Sequence, residues 1–166
     1  MVPINTPRRK FVMTAGVAGL TLTGVGVATA TPPEQRNFRT HLSGDEVVPP
    51  VDTKAQGQAK FQLNKAGDEL SFKLNVANID DVIGAHIHQA PAGENGGIVV
   101  FLFGNPFADP VTVNGTLAEG TITASDVIGS IGGDFDALLM AMREGNTYVQ
   151  VHTEENVPGE IRGQIH

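Results

Sequence analysis

Apolar and polar residues alternate with a period of two over most of the chain beyond residue 37. The clearest stretch is 70–76, where Leu70, Phe72 and Leu74 are separated by single polar residues, as in a strand with one buried face. The turn-forming residues 64–68 join it to the alternation at 59–63 as a hairpin. Further strands are predicted at 38–43, 83–89, 98–103, 111–122, 147–152 and 159–165. Seven to eight short strands separated by turns indicate an all-β fold, an antiparallel β-sandwich or barrel.

One segment departs from this alternation and has helical spacing. Phe135, Leu138, Leu139 and Met142 recur at intervals that place them on one face of a helix. The pattern predicts one short helix near 134–144, and Gly145 is placed to end it. We expect this helix to cover one open end of the sandwich, which is a structural role and needs no chemistry.

The first thirty residues have the pattern of an export signal. Arg8 and Arg9 precede an apolar, glycine-spaced stretch at 11–27, and Ala28-Thr29-Ala30 follows as a cleavage site. This resembles a twin-arginine signal, and the alternative, a membrane anchor, is disfavoured because the apolar stretch is shorter than the roughly 20 residues that a spanning helix needs. We therefore expect a signal peptide at 1–30, a short linker at 31–36 and one domain at 37–166. The mature protein is expected to be secreted or held at the cell surface.

The charge is uneven along the chain. The whole sequence carries 11 basic and 18 acidic residues, a net charge of −7. Three of the basic residues lie within 1–30, so the remaining chain has 8 basic against 18 acidic residues and a net charge of −10. Such a balance excludes nucleic acid and anionic membranes as expected partners and favours cations.

The histidines are the candidate chemical groups. His86 and His88 alternate with Ala85 and Ile87, so both imidazoles leave the same face of their predicted strand. By the same alternation His152 also points out of the sandwich. If strands 83–89 and 147–152 are neighbours in one sheet, the three imidazoles could converge on one cation, and neutral imidazole suits copper or zinc. Because the rings must be neutral to bind a metal, metal binding is expected to weaken below about pH 6. The alternative to a metal site is that all three histidines are solvated surface residues.

Three other features could contribute to this candidate site. The glycine-rich loop 91–97 could fold back beside His88, although an ordinary turn has the same composition. His41 and His166 could each add a fourth ligand, although an exposed strand histidine and a chain terminus explain them equally.

Glu160 and Arg162 are predicted to leave the same outward face of the last strand. The structural interpretation is a surface ion pair or a cross-strand pair, worth less than about 1 kcal/mol. The functional one places Arg162 near the histidines, where it would attract an anion or orient a carboxylate.

Four segments together resemble the CHRD domain, the module repeated in chordin and found alone in many secreted microbial proteins. They are residues 42–51, 85–97, 145–153 and 158–165, in the family's order and spacing, and the likeness covers about 37–166. The resemblance implies a secreted all-β module. Microbial members of the family mostly lack an assigned activity, whereas chordin binds growth factors.

The histidine pattern is also similar to that of copper/zinc superoxide dismutase. The resemblance makes His86, His88 and His152 copper ligands on the outer face of a Greek-key barrel, and Arg162 lies in the strand where that enzyme carries its anion-guiding arginine. The chain has no counterpart of the metal-bridging histidine, of the remaining zinc ligands or of the disulfide cysteines. The expected fold is thus a Greek-key sandwich or barrel, either superoxide-dismutase-like or immunoglobulin-like.

Two functions of different class follow from these observations. The first is a metal-binding module that carries or stores copper, with weak superoxide consumption as the one enzymatic option; zinc is the other candidate ion. The second is a non-catalytic extracellular module that binds a protein or polysaccharide and holds no metal. The sequence has no Gly-x-Ser-x-Gly elbow, phosphate-binding loop, dinucleotide fingerprint or cysteine nucleophile.

Overall fold

The structure is a computed structural model and describes residues 34–166. The predicted signal peptide at 1–30 lies outside the described residues. The strands are β1 Asn37–Ser43, β2 Gln56–Leu63, β3 Leu70–Ala77, β4 Val82–Gln89, β5 Gly97–Phe103, β6 Gly115–Ile122, β7 Thr147–Thr153 and β8 Ile161–Gln164. One α-helix, α1, spans Phe135–Arg143, and short 3-10 turns occupy Gly44–Glu46, Ala124–Asp126 and Gly129–Ile131.

All eight strands pair antiparallel in one sheet with the order β5-β4-β7-β8-β1-β2-β3-β6. The two end strands, β5 and β6, approach each other closely, so the sheet curls into a nearly closed barrel. Strand β7 returns beside β4 after β5 and β6, which is a Greek-key connection. The all-β antiparallel prediction is therefore confirmed.

Two predicted strands are longer than the observed ones. The strand predicted at 111–122 begins at Gly115, because Val111 leaves the ladder and forms an isolated bridge with Val82 instead. The strand predicted at 159–165 is reduced to Ile161–Gln164, since Gly159 adopts a φ of +134° in the preceding turn.

Alternation places the core on the inner face of the barrel. Along β2 every second residue is buried, and the same holds along most of β1. Helix α1 adds Phe135, Leu138 and Met142 to this core, and the Asp134 carboxylate caps it by accepting a 2.9 Å hydrogen bond from the Ala137 amide. The predicted helix is confirmed.

Strands β4, β7 and the short β8 differ from the others because both of their faces are buried. Their inner residues belong to the core, whereas their outer residues are covered by the loops that follow β4, β5 and β7. The candidate histidines lie on this covered outer face.

Candidate metal centre

Strands β4 and β7 are direct antiparallel neighbours, which satisfies the condition for the histidines to meet. His86 lies opposite Gln150, and His152 lies opposite Gly84. The ring centroids of His86 and His152 are 4.8 Å apart, and that of His88 is 5.8 Å from each of them. One potential ligand nitrogen from each ring lies within 4.8 Å of the other two.

Each ring is oriented by a backbone carbonyl from a covering loop. His86 Nε2 lies 2.7 Å from the Pro106 oxygen, His88 Nδ1 lies 2.9 Å from the Gly96 oxygen, and His152 Nδ1 lies 2.9 Å from the Val157 oxygen. A carbonyl oxygen only accepts hydrogen bonds, so each of these nitrogens carries a proton and donates it. The other nitrogen of each neutral ring therefore has a free lone pair.

Those three free nitrogens have no hydrogen-bond partner. They are His86 Nδ1, His88 Nε2 and His152 Nε2, and all are buried. The three side chains are only 0%, 8% and 5% exposed. An unpartnered buried acceptor is costly, and three of them in one place need a common explanation. A cation that accepts all three lone pairs provides one.

Burial keeps the rings neutral. The pKa of His86 is lowered to about 4, mainly by loss of hydration and to a smaller extent by the positive charges that protonated His152 and His88 would carry. Loss of hydration also lowers the pKa of His88 to about 4, with His152 and Arg162 contributing, and burial lowers the pKa of His152. At neutral pH the three imidazoles are therefore in the form that binds metals, and protonation competes at lower pH than the expected value of about 6.

Aromatic side chains form the apolar wall of the site. Phe101 and His86 form a T-shaped pair at a centroid distance of 5.2 Å, and the Phe107 ring lies 6.0 Å from that of His86 and 5.8 Å from that of His152. A Cβ atom at Gly84 would lie 3.0 Å from both the Phe107 ring and the Pro106 oxygen. Glycine at this position therefore lets the loop close over the histidines.

The Tyr148 ring lies between His88 and the buried guanidinium group of Arg162. Its ring stacks on His88 at 5.0 Å with an interplanar angle of 8°, and the Arg162 guanidinium carbon lies 3.6 Å from its centroid. Because β7 lies between β4 and β8, the tyrosine ring is held between the two side chains. Arg162 also donates to the Asn95 side-chain oxygen at 3.2 Å and to the Pro91 carbonyl at 3.3 Å.

The predicted surface ion pair between Glu160 and Arg162 is wrong. Arg162 is 1% exposed, and no carboxylate of residues 34–166 lies within ion-pair distance of it. The Glu160 carboxylate instead accepts hydrogen bonds from the hydroxyls of Thr53 at 2.7 Å and Thr153 at 2.8 Å. Alternation gave the correct face of β8, but the loop 91–97 covers that face.

Comparison with protein families agrees with this architecture. A family model described as the CHRD domain matches residues 38–165, nearly all of the described chain. The chain belongs to the CHRD-domain family. No curated protein matched the sequence.

Membership of the CHRD family indicates a small module of the extracellular type. No helix within 34–166 is long and apolar enough to cross a bilayer.

The site of this CHRD domain could hold a metal ion, and its donor set is three imidazoles. His41 and His166 are exposed and lie outside the group, and no carboxylate of residues 34–166 joins it. The loop 91–97 does fold back beside His88, because the Gly96 carbonyl is its hydrogen-bond acceptor.

Sequence reasoning missed several groups that shape the site. Alternation along β7 puts Tyr148 on the same outer face as His152, but nothing in the sequence indicates its contacts with His88 and Arg162 or the position of Phe107. The loop 104–110, which supplies the Pro106 carbonyl, contains the turn signal Gly104-Asn105-Pro106. That signal indicated a turn but not the side of the barrel that it covers.

Proposed function

We propose that this CHRD-domain protein binds one copper ion through His86, His88 and His152 outside the cytoplasm. The observation that carries the proposal is the set of three buried ring nitrogens that face one another without partners while their opposite nitrogens are held by backbone carbonyls. Such outer hydrogen bonds are the usual way in which proteins orient metal-binding histidines.

The donor chemistry favours copper over zinc. Neutral imidazole suits both ions, but a given nitrogen site generally binds Cu²⁺ more tightly than Zn²⁺. The net charge of −10 beyond residue 30 further favours a cation. Copper, when bound, would supply one-electron redox chemistry.

A small closure of the rings is expected on binding. Metal–imidazole bonds are about 2.0–2.1 Å long, so two nitrogens on one ion are at most about 4 Å apart. The ligand nitrogens here are separated by up to 4.8 Å. Each nitrogen would have to move towards the ion by less than about 1 Å.

The position of Arg162 favours a carrier or storage role over superoxide turnover. Its guanidinium is buried behind Tyr148 and engaged by Asn95 and Pro91, so it is not displayed to an incoming anion. We assign it, with Glu160, to positioning the loops and strand ends around the site.

Metal titration of the full-length protein without a polyhistidine tag tests the proposal. We expect one equivalent of copper(II) to bind more tightly than zinc(II), and we expect His88→Ala to weaken copper binding at least about 100-fold, or roughly 2.7 kcal/mol. Competition titration against a chelator of known affinity measures both.

His41→Ala is the matched control, because His41 is an exposed strand histidine outside the group. It should leave copper affinity unchanged. Micromolar or weaker binding that His88→Ala does not alter would contradict the copper proposal. That outcome would favour the metal-free binding module instead.

We also propose that the chain leaves the cytoplasm through the twin-arginine route, with cleavage near Ala30. Arg8-Arg9 ahead of the apolar stretch supports this, as does the extracellular character of the family. Replacement of Arg8 and Arg9 by lysine should retain the uncleaved protein inside the cell, because the charge is kept but the arginine pair is lost. Fractionation of cells followed by mass determination of the exported form measures this, and unchanged export would contradict the route.

A further inference from the structure

A row of basic side chains crosses the outer face of the barrel on strands that do not carry the histidines. Arg39 on β1 lies directly opposite Lys60 on β2, and Lys60 lies directly opposite Lys73 on β3. All three residues are exposed. Of the five exposed basic residues between 34 and 166, this row holds three.

Fold stability does not explain this row. Like charges directly opposite each other on neighbouring strands destabilise a sheet. Only Lys73 has a partner, the Glu119 carboxylate at 3.0 Å, whereas Arg39 and Lys60 form no ion pair within residues 34–166. Although the domain exposes few basic residues, three of them lie side by side on this face. This clustering indicates a ligand with matching negative charge.

The neighbouring side chains are polar and neutral. The cross-strand row Asn37, Gln62 and Ser71 runs beside the basic row, and His41, Gln58 and Asn75 form a second row on its other side. The basic row and the first neutral row line a shallow groove of about 690 Å³, to which Phe38, Phe61 and Phe72 also contribute. Amides and hydroxyls suit the hydroxyl groups of a sugar chain, whereas the lysines and the arginine suit its acidic groups.

We propose that this face, defined by Arg39, Lys60, Lys73 and the adjoining Asn37, Gln62 and Ser71, binds an anionic polysaccharide. Neighbouring strands are about 4.8 Å apart, so the three charges extend over roughly 10 Å, enough to meet more than one acidic group of such a chain. The backbone groups of these strands are already paired in the sheet, so an acidic polypeptide could not add a strand here and fits this face less well. The proposal is independent of the copper site.

Binding of defined polymers to the full-length protein tests this proposal. Polygalacturonate and dextran sulfate distinguish carboxylate from sulfate, neutral dextran controls for sugar alone, and polyglutamate represents an acidic polypeptide. We expect at least one of the anionic glycans to bind, in a manner weakened by salt, and neutral dextran not to bind. Calorimetry at low ionic strength measures each affinity.

Lys60→Gln should weaken glycan binding about tenfold, because it removes the central charge of the row. Lys65→Gln removes the same charge from an exposed turn and should change the affinity less than twofold. Lys60→Gln should also leave the free energy of unfolding unchanged or higher, since it relieves repulsion from Arg39 and Lys73. If the row had a structural role, Lys60→Gln would instead lower the free energy of unfolding.

Three results would overturn the proposal. The first is the absence of binding to both anionic glycans. The second is an equal loss of glycan affinity in Lys60→Gln and Lys65→Gln. The third is polyglutamate binding that is at least as tight as glycan binding. The last result would identify an acidic protein partner. His88→Ala, which tests the copper site, should leave glycan binding unchanged, so failure of one proposal is distinguishable from failure of the other.

Discussion

Acidification of the metal-free protein from pH 6.5 to pH 4 is expected to remove on the order of 3 kcal/mol of its free energy of unfolding for each of His86 and His88. In the unfolded chain these imidazoles take up protons as the pH falls through 6.5, but in the folded protein they stay neutral to about pH 4. The unfolded state therefore binds more protons than the folded state in this range, and the free energy of unfolding decreases as the pH is lowered. Each such histidine adds up to about 1.4 kcal/mol per pH unit.

Urea unfolding between pH 7 and pH 4 in the presence of a chelator measures this slope. His88→Gln should reduce the slope by the contribution of one histidine, whatever its effect on stability at pH 7. His41→Gln removes an exposed histidine and should keep the parent slope. Equal slopes in the parent and in His88→Gln would show that burial of the cluster does not control acid stability.

Replacement of Tyr148 by alanine is expected to lower the free energy of unfolding by about 3–5 kcal/mol. The side chain is 1% exposed, and its removal takes away the ring between His88 and Arg162. It also leaves the Gly96 amide without the hydroxyl oxygen to which it donates at 3.1 Å. Copper affinity should fall about tenfold as well, because His88 loses the ring that fixes its plane.

Tyr148→Phe is the matched variant for this prediction. It keeps the stacked ring and removes the hydroxyl group, so we expect a loss of only about 1 kcal/mol and nearly unchanged copper affinity. Denaturant unfolding of the metal-free variants and competition titration with copper measure both effects. Equal losses of unfolding free energy and copper affinity in the two variants would assign both effects to the hydroxyl group instead of the stacked ring.

The two proposed sites use different strands and opposite charge preferences. The histidines lie on β4 and β7, whereas the basic row lies on β1, β2 and β3. Overall charge argued for cations and against anions, and the histidine site agrees with that argument. The basic row is a local exception, since a polyanion responds to the nearest charges when more distant ones are screened by salt.

Alternation along the chain was sufficient for several conclusions. Because successive side chains of a strand point to opposite faces, it placed His86, His88 and His152 on the outer face and predicted the hairpin of β2 and β3. Helical spacing and a terminal glycine were likewise sufficient for α1. The segments 42–51, 85–97, 145–153 and 158–165 were sufficient to indicate the CHRD family, which the family comparison confirmed.

Tertiary structure alone decided what those faces contact. Period-two patterning separates the inner face of a strand from its outer face, but it does not tell whether a loop covers the outer one. The loops at 91–97, 104–110 and 154–160 bury the histidines, and their carbonyls decide which nitrogen of each ring stays free. The same limit explains the wrong ion pair at Arg162. The row of Arg39, Lys60 and Lys73 was unforeseen for a different reason. Strand register brings these residues together from distant parts of the sequence, and register is a property of the folded sheet.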